Sequence, residues 1–318
     1  MNKLWFFIAI LSIFVNVLFT AAFTSLLNQQ KDDKKDMPNS NVYPFLSKRI
    51  FAENQNDILI NFIPLRTAMR EYVDKQNGEV GVYFEYLPSG ISIGVNDKLE
   101  ARLASLIKIP VVMAVYRQIE EGKLTKGQIL TVGNNDINKL FGDLWKRGAG
   151  SQITVEEAVR LSLADSDNTA TRTLVSALPQ GAIDDVFDSL DIPKDKTGDL
   201  PVISPKNYSS ILRALYLSSY LTKQNSNEII EILTGTKFND TLPAGIPEHV
   251  KVAHKIGIFN QKDDEKIFSD CGIIYVPQRT YLLCIMAKTN EEKAREHMRH
   301  LSKMVYGYIV ATKSGGQN

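Results

Sequence analysis

Ser105-Leu106-Ile107-Lys108 is the only Ser-x-x-Lys tetrapeptide in the 318 residues, and it opens an apolar run through Val111, Val112 and Met113. On a helix, residues three apart share a face, so the Lys108 ammonium can reach the Ser105 hydroxyl. A lysine walled by apolar side chains loses solvation, its neutral form is favoured, and it can then take the serine proton. Unpaired N–H groups at a helix start would favour an oxyanion beside the serine. Taken alone, the tetrapeptide also fits an ordinary helix start with a surface lysine.

Two further motifs bear on it. Ser166-Asp167-Asn168 lies between two stretches of helical character, Val155 to Leu163 and Thr169 to Leu178. All three residue types are favoured N-caps, which is one reading. The other makes Ser166 a hydroxyl relay to a leaving group and Asn168 an amide touching substrate. Lys255-Ile256-Gly257 sits in a strand-like run, where Lys255 would hold a substrate carboxylate and Gly257 would let a ligand approach the backbone. The alternative is an edge-strand lysine before a bulge. A literal Lys196-Thr197-Gly198 also occurs, but turn formers surround it and it reads as a loop.

The elements that must position these residues follow from periodicity. Ile58 to Gln76 has helical spacing, and Glu79 to Tyr86 and Gly90 to Val95 read as strands around a Leu87-Pro88-Ser89 turn. A helix-rich middle runs from Ser105 to Glu248, with a capping-box pattern at Thr154-Val155-Glu156-Glu157. Strand-like runs follow at 249–259, 268–276 and 281–287, and 291–310 closes the chain as an amphipathic helix. This predicts an α+β fold: an antiparallel sheet flanked by helices and built from both chain ends (46–104 and 249–318), with an all-helical lobe (105–248) inserted.

In this order and on these elements, the three motifs resemble those of the penicillin-recognising serine enzymes, most closely class A β-lactamases. The resemblance covers about residues 45–318. It implies that Ser105 is the acylated nucleophile, Lys108 its proton acceptor and Ser166 the proton relay. Asn168 would contact substrate, Lys255 would anchor the substrate carboxylate, and the backbone N–H groups of Ser105 and Ile258, beside Gly257, would form the oxyanion hole. No cofactor or metal is implied.

Two departures matter. Ile256 replaces the family's usual Thr or Ser, removing a hydroxyl donor to the carboxylate. No Glu occurs between Asn168 and Asn227, where the family carries a Glu-x-x-x-Asn loop whose Glu activates the deacylating water. Only Asp184, Asp185, Asp188, Asp191, Asp195 and Asp199 offer carboxylates before the next helix, which is expected to start near Ile203-Ser204-Pro205. The expected activity is therefore opening of β-lactams through a Ser105 acyl-enzyme with slow deacylation. The alternatives are a D,D-peptidase or penicillin-binding protein acting on cell-wall peptides, and a silent sensor of the same fold.

Rival chemistries find little support. Gly90-Ile91-Ser92-Ile93-Gly94 matches a nucleophile elbow, but its apolar alternation continues as a strand. The four histidines lack a His-Glu-x-x-His arrangement, and His297, Arg299, His300 and Lys303 read as the solvated face of the last helix. Cys271 and Cys284 fall on adjacent strands; they could pair in an oxidising compartment, but core thiols are expected.

A net charge of +1 offers no basic excess for a phosphate backbone, which argues against nucleic acid. Leu4 to Leu27 runs 24 residues without a charge, about 36 Å as a helix and enough to span a bilayer. It exceeds the usual length of a signal-peptide core, so residues 1–27 read as an uncleaved signal anchor and 28–45 as a polar linker. The expectation is a monomeric catalytic domain outside the cytoplasmic membrane, although Lys31, Lys34 and Lys35 after the span against Lys3 before it argue weakly the other way.

Overall fold

The computed structural model describes Phe45 and residues 60–193, 202–260 and 266–312. Helix α1 (Ile63–Val73) leads into strands β1 (Glu79–Tyr86), β2 (Ile91–Val95) and the short β3 (Ala101–Arg102). A 3₁₀ turn (Ala104–Ile107) runs directly into α2 (Lys108–Glu120). The hairpin β4 (Ile129–Thr131) and β5 (Gln152–Thr154) precedes α3 (Val155–Ala164), α4 (Asn168–Ser176) and α5 (Ala182–Ser189). Next come β6 (Val202–Ile203), α6 (Pro205–Leu217) and α7 (Lys223–Thr234). The chain closes with β7 (Val252–Asn260), β8 (Lys266–Ile274), β9 (Tyr281–Lys288) and α8 (Glu291–Ala311).

Five strands form one antiparallel sheet in the order β2-β1-β9-β8-β7, so the first and last parts of the domain meet where Glu79 pairs Lys288 and Tyr86 pairs Tyr281. β1 and β9 are buried along nearly their whole length because both faces are covered. On one face, Leu65, Met69 and Val73 of α1 and Ala294, Met298, Leu301, Val305 and Ile309 of α8 press a helix-spaced stripe onto Val80, Val82, Phe84, Leu283 and Ile285. On the other, α6 crosses β1, β8 and β9. This is the α+β architecture expected from the sequence, with strand bounds within three residues of the expected ones.

Several local expectations need correction. The apolar helix does not open at Ser105: that residue lies in the 3₁₀ turn, and the α-helix begins at Lys108. The small pairings β3–β6 and β4–β5 carried no clear alternating pattern and were not foreseen. His297 is not on the solvated face of α8; it is 3% exposed and faces Tyr72, whose hydroxyl lies 2.9 Å from its Nδ1, whereas Arg299, His300 and Lys303 are exposed. Cys271 and Cys284 are not free thiols: they stand opposite one another in register, fully buried, and are joined as a disulfide.

No helix among the described residues is long and apolar enough to cross a membrane. The 4–27 segment, the 28–44 linker, Asp195, Asp199 and Lys196-Thr197-Gly198 lie outside the described residues.

Candidate active site

Three elements converge on Ser105. The first is its own turn, entered through Ala104 at φ 45°, a conformation uncommon for a residue with a side chain. Tyr208 of α6 donates to the Leu106 carbonyl at 3.0 Å and steadies the turn from below. Gly257 of β7 packs against it: a Cβ there would stand 3.0 Å from both the Leu103 carbonyl oxygen and Leu106 Cγ, so only glycine lets strand and turn approach this closely.

The second is the bend between α3 and α4. Thr154 caps α3 through Glu157 N, as the capping pattern predicts. At the far end, Asp167 is the N-cap of α4, its Oδ1 accepting from Ala170 N at 2.8 Å while Oδ2 accepts from Leu144 N at 2.8 Å. The capping and functional readings of Ser166-Asp167-Asn168 are therefore compatible, since one residue caps while its neighbours face Lys108. Gly142, at φ 80°, leaves room for that carboxylate, which a Cβ would overlap. Ser166 is held at φ 55°, also in the left-handed region.

The third is β7, the free edge of the sheet. Tyr275 N–H donates to the Lys251 carbonyl at 2.9 Å, so hydrogen-bonded pairs with β8 recur at Ala253, Lys255 and Gly257. Ile258 falls between them, and its backbone N–H points off the edge. Ile256, 5% exposed, lies on the sheet face opposite Lys255 and brings no polar group to the site.

The result is a compact polar cluster. Lys108 Nζ lies 2.6 Å from the Ser166 carbonyl oxygen, 2.6 Å from Asn168 Oδ1, 3.0 Å from Ser105 Oγ and 3.1 Å from Ser166 Oγ. Lys255 Nζ, from the other side, is 2.9 Å from Ser166 Oγ and sits over the Phe238 ring at 5.6 Å. Burial, reinforced by the neighbouring Lys255 charge, pulls Lys108 down to about 6, with Asp167 opposing. Burial also lowers Lys255 to about 7, with Asp270 opposing. At neutral pH Lys108 is thus an amine with two N–H groups and one lone pair. The two short contacts end on groups that can only accept, a carbonyl and an amide oxygen, so they take both N–H groups. The lone pair is left for the hydroxyls of Ser105 and Ser166.

Ser105, Lys108, Ser166, Asn168 and Lys255 are therefore brought together, with Gly257 and Ile258 on the strand beside them. Other participants carry no sequence signature of their own. Asn138 accepts from Asn168 Nδ2 at 3.1 Å and orients the amide so that its oxygen faces Lys108. Phe238 forms the floor under Lys255. Among the carboxylates after Asn168, Asp185 and Asp188 line a cleft with Arg117 and Gln118. Gln118 is ten residues beyond Lys108 along α2, about 15 Å away, too far to hold a water at Ser105. Among the described residues no cluster of His, Cys, Asp or Glu is arranged to hold a metal.

An antiparallel sheet and helical lobe closing on a serine backed by a buried lysine define a serine hydrolase of the β-lactamase and penicillin-binding-protein fold. Solved structures agree: PBP-A covers 77% of this chain and 95% of its own, with a TM-score of 0.71 and 25% identity. A mutant of PBP-A caught as an acyl-enzyme complex with penicillin G gives 0.70. The β-lactamase of Sphaerobacter thermophilus shares the fold at a TM-score of 0.71 and 20% identity, covering 80% of this chain and all of its own. The chain belongs to the β-lactamase enzyme family, whose pattern matches residues 64–309. Among named relatives, a β-lactamase of Phocaeicola vulgatus is 23% identical over 85% of this chain and 92% of its own. The CARB-3 β-lactamase of Pseudomonas aeruginosa is 25% identical over 63% of this chain and 72% of its own.

Proposed function

We propose that the protein opens β-lactams by acylation of Ser105. The observation that carries this reading is the saturation of both Lys108 N–H groups by Ser166 O and Asn168 Oδ1, which leaves the lone pair for the hydroxyls of Ser105, 3.0 Å away, and Ser166. Lys108 takes the Ser105 proton as Oγ attacks the lactam carbonyl, and the oxyanion settles between the N–H groups of Ser105 and Ile258. Ser166, in contact with both lysines, relays the proton to the departing lactam nitrogen. Lys255 holds the substrate carboxylate, and Asn168 contacts the substrate amide.

A second reading, a D,D-peptidase or penicillin-binding protein working on cell-wall peptides, is favoured by one observation: Asp185 and Asp188 line a cleft with Gln118, ten residues along α2 from Lys108. It uses the same acylation and differs in how the ester is resolved. Both readings place the catalytic domain, as a monomer, outside the cytoplasmic membrane and tethered by residues 4–27. Shaving of the domain by protease added to intact spheroplasts supports that topology, and protection until lysis refutes it.

The chemistry is tested by intact-mass spectrometry after mixing with a penicillin. A single adduct is expected, absent in Ser105→Ala; an adduct that survives this substitution would refute the assignment. Release of opened lactam distinguishes a β-lactamase from a protein that only acylates.

A further inference from the structure

Asp270 is a fully buried carboxylate in the middle of strand β8, whose residues after Lys266 are all buried, an arrangement that is rare without a purpose. Its Oδ2 accepts from Thr241 Oγ1 at 2.5 Å and from Leu242 N at 3.1 Å, and its Oδ1 lies 2.9 Å from His254 Nδ1. The Thr241 hydroxyl and the Leu242 N–H donate to it, and His254 Nδ1 stands within hydrogen-bond distance of both its oxygens. His254 Nε2 is buried with no partner among the described residues. Among the described residues the groups bonded to Asp270 include no lysine or arginine.

On the other face of the sheet, one residue over in register, Lys255 is also fully buried. Its polar contact is a hydroxyl and its floor an aromatic ring, with no carboxylate touching it among the described residues. Lys108 of α2 and Asp167 of the α3–α4 bend also face this centre, but Asp167 is committed to two backbone N–H groups. Tyr208 of α6 lies near Asp270 and is held protonated, its pKa pushed up by burial. The two buried charges sit on adjacent strands, whose backbones are about 4.8 Å apart.

We propose that Asp270 is a positioning residue for acylation, a counter-charge behind the sheet that keeps Lys255 an ammonium able to hold an anionic substrate. Its bonds to Thr241 and Leu242 also fasten the segment that carries Phe238 to β8, the strand paired with the one that carries Lys255. The substrate role rests on the acylation reading above; the coupling of the two charges does not.

The test follows the Lys255 titration by NMR in full-length protein carrying lysine labelled at Cε, with the resonance assigned by its loss in Lys255→Arg. In Asp270→Asn the midpoint should fall by about one unit, which at pH 7 lowers the charged fraction about fivefold. The alkaline limb of penicillin acylation should move with it. In Thr241→Val, which removes a donor but no charge, the midpoint should stay. An unmoved midpoint in Asp270→Asn, or equal shifts in both variants, would overturn the proposal. Should Asp270→Asn fail to fold, the carboxyl carbon shift of Asp270 in the unaltered protein decides, since a protonated Asp270 at pH 7 also overturns it. Failure of the unaltered protein to form any penicillin adduct would refute the acylation reading and leave the NMR comparison standing.

Discussion

The protonation of Lys108 makes acylation depend on pH in a way that can be calculated. With the amine at about 6, roughly nine-tenths of the molecules carry a free lone pair at pH 7. A solvated lysine near 10.4 would offer only about 4 in 10,000, so burial multiplies the competent fraction about 2,000-fold, within the range general base catalysis supplies. Lowering the pH from 7 to 5 should cut the second-order acylation constant about fivefold, because the neutral fraction of Lys108 falls about tenfold while the charged fraction of Lys255 about doubles. Above about 7 the constant should fall again as Lys255 loses the charge that holds the carboxylate. Quench-flow acylation with a penicillin, read by intact mass between pH 5 and 9, should give a bell centred between the two values. Lys108→Ala should reduce its height by about 10³ or more by removing the proton acceptor. A rate that climbs steadily to pH 10 would mean that Lys108 titrates as an ordinary lysine, and the burial argument would be wrong.

Gly257→Ala should lower acylation about tenfold with little loss of thermal stability, because the new methyl pushes the nucleophile turn a few tenths of an ångström from the strand, and positioning errors of an ångström cost about 10²-fold. Wild-type acylation kinetics would contradict the close packing. Stopped-flow mixing with a penicillin should show a stoichiometric burst followed by turnover slower by about 10²–10⁴ than a general base would allow; rapid turnover without a burst would show that Asp199 or another group supplies that base. Denatured but unreduced protein should take up no thiol reagent, and reduced protein should take up two, at Cys271 and Cys284; two labels before reduction would refute the disulfide.

Much of the site was legible because its chemistry is local. Ser105 and Lys108 are a turn apart, and Ser166 and Asn168 flank one cap, so residue type and spacing suffice. The sheet was legible because β1, β7, β8 and β9 are strand-length runs rich in β-branched and aromatic residues. What escaped was set by long-range contact. Asn138 matters only because its loop meets α4, and Phe238 only because the segment after α7 folds under Lys255. His297 was misread because a histidine on an amphipathic helix looks solvated until Tyr72 of α1 is placed against it. The one overlooked signal was Asp270, a charge in the middle of a strand-like run, with His254 directly before Lys255. The disulfide could not be separated from two core thiols, because spacing fixes neither the register that puts Cys271 opposite Cys284 nor the redox state.

Because β1 hydrogen-bonds to β9, which is made about 200 residues later, the central pair of the sheet cannot form until almost the whole domain has been synthesised. Until then β1 and β2 amount to an isolated hairpin with a large apolar face, marginal in water. The helical lobe, whose contacts are shorter in range, can collapse first and wait. Folding is thus gated by arrival of the C-terminal strands, and a chain truncated before Tyr281 would leave β1 with an open edge, prone to pair with another copy rather than to rest as a smaller stable domain.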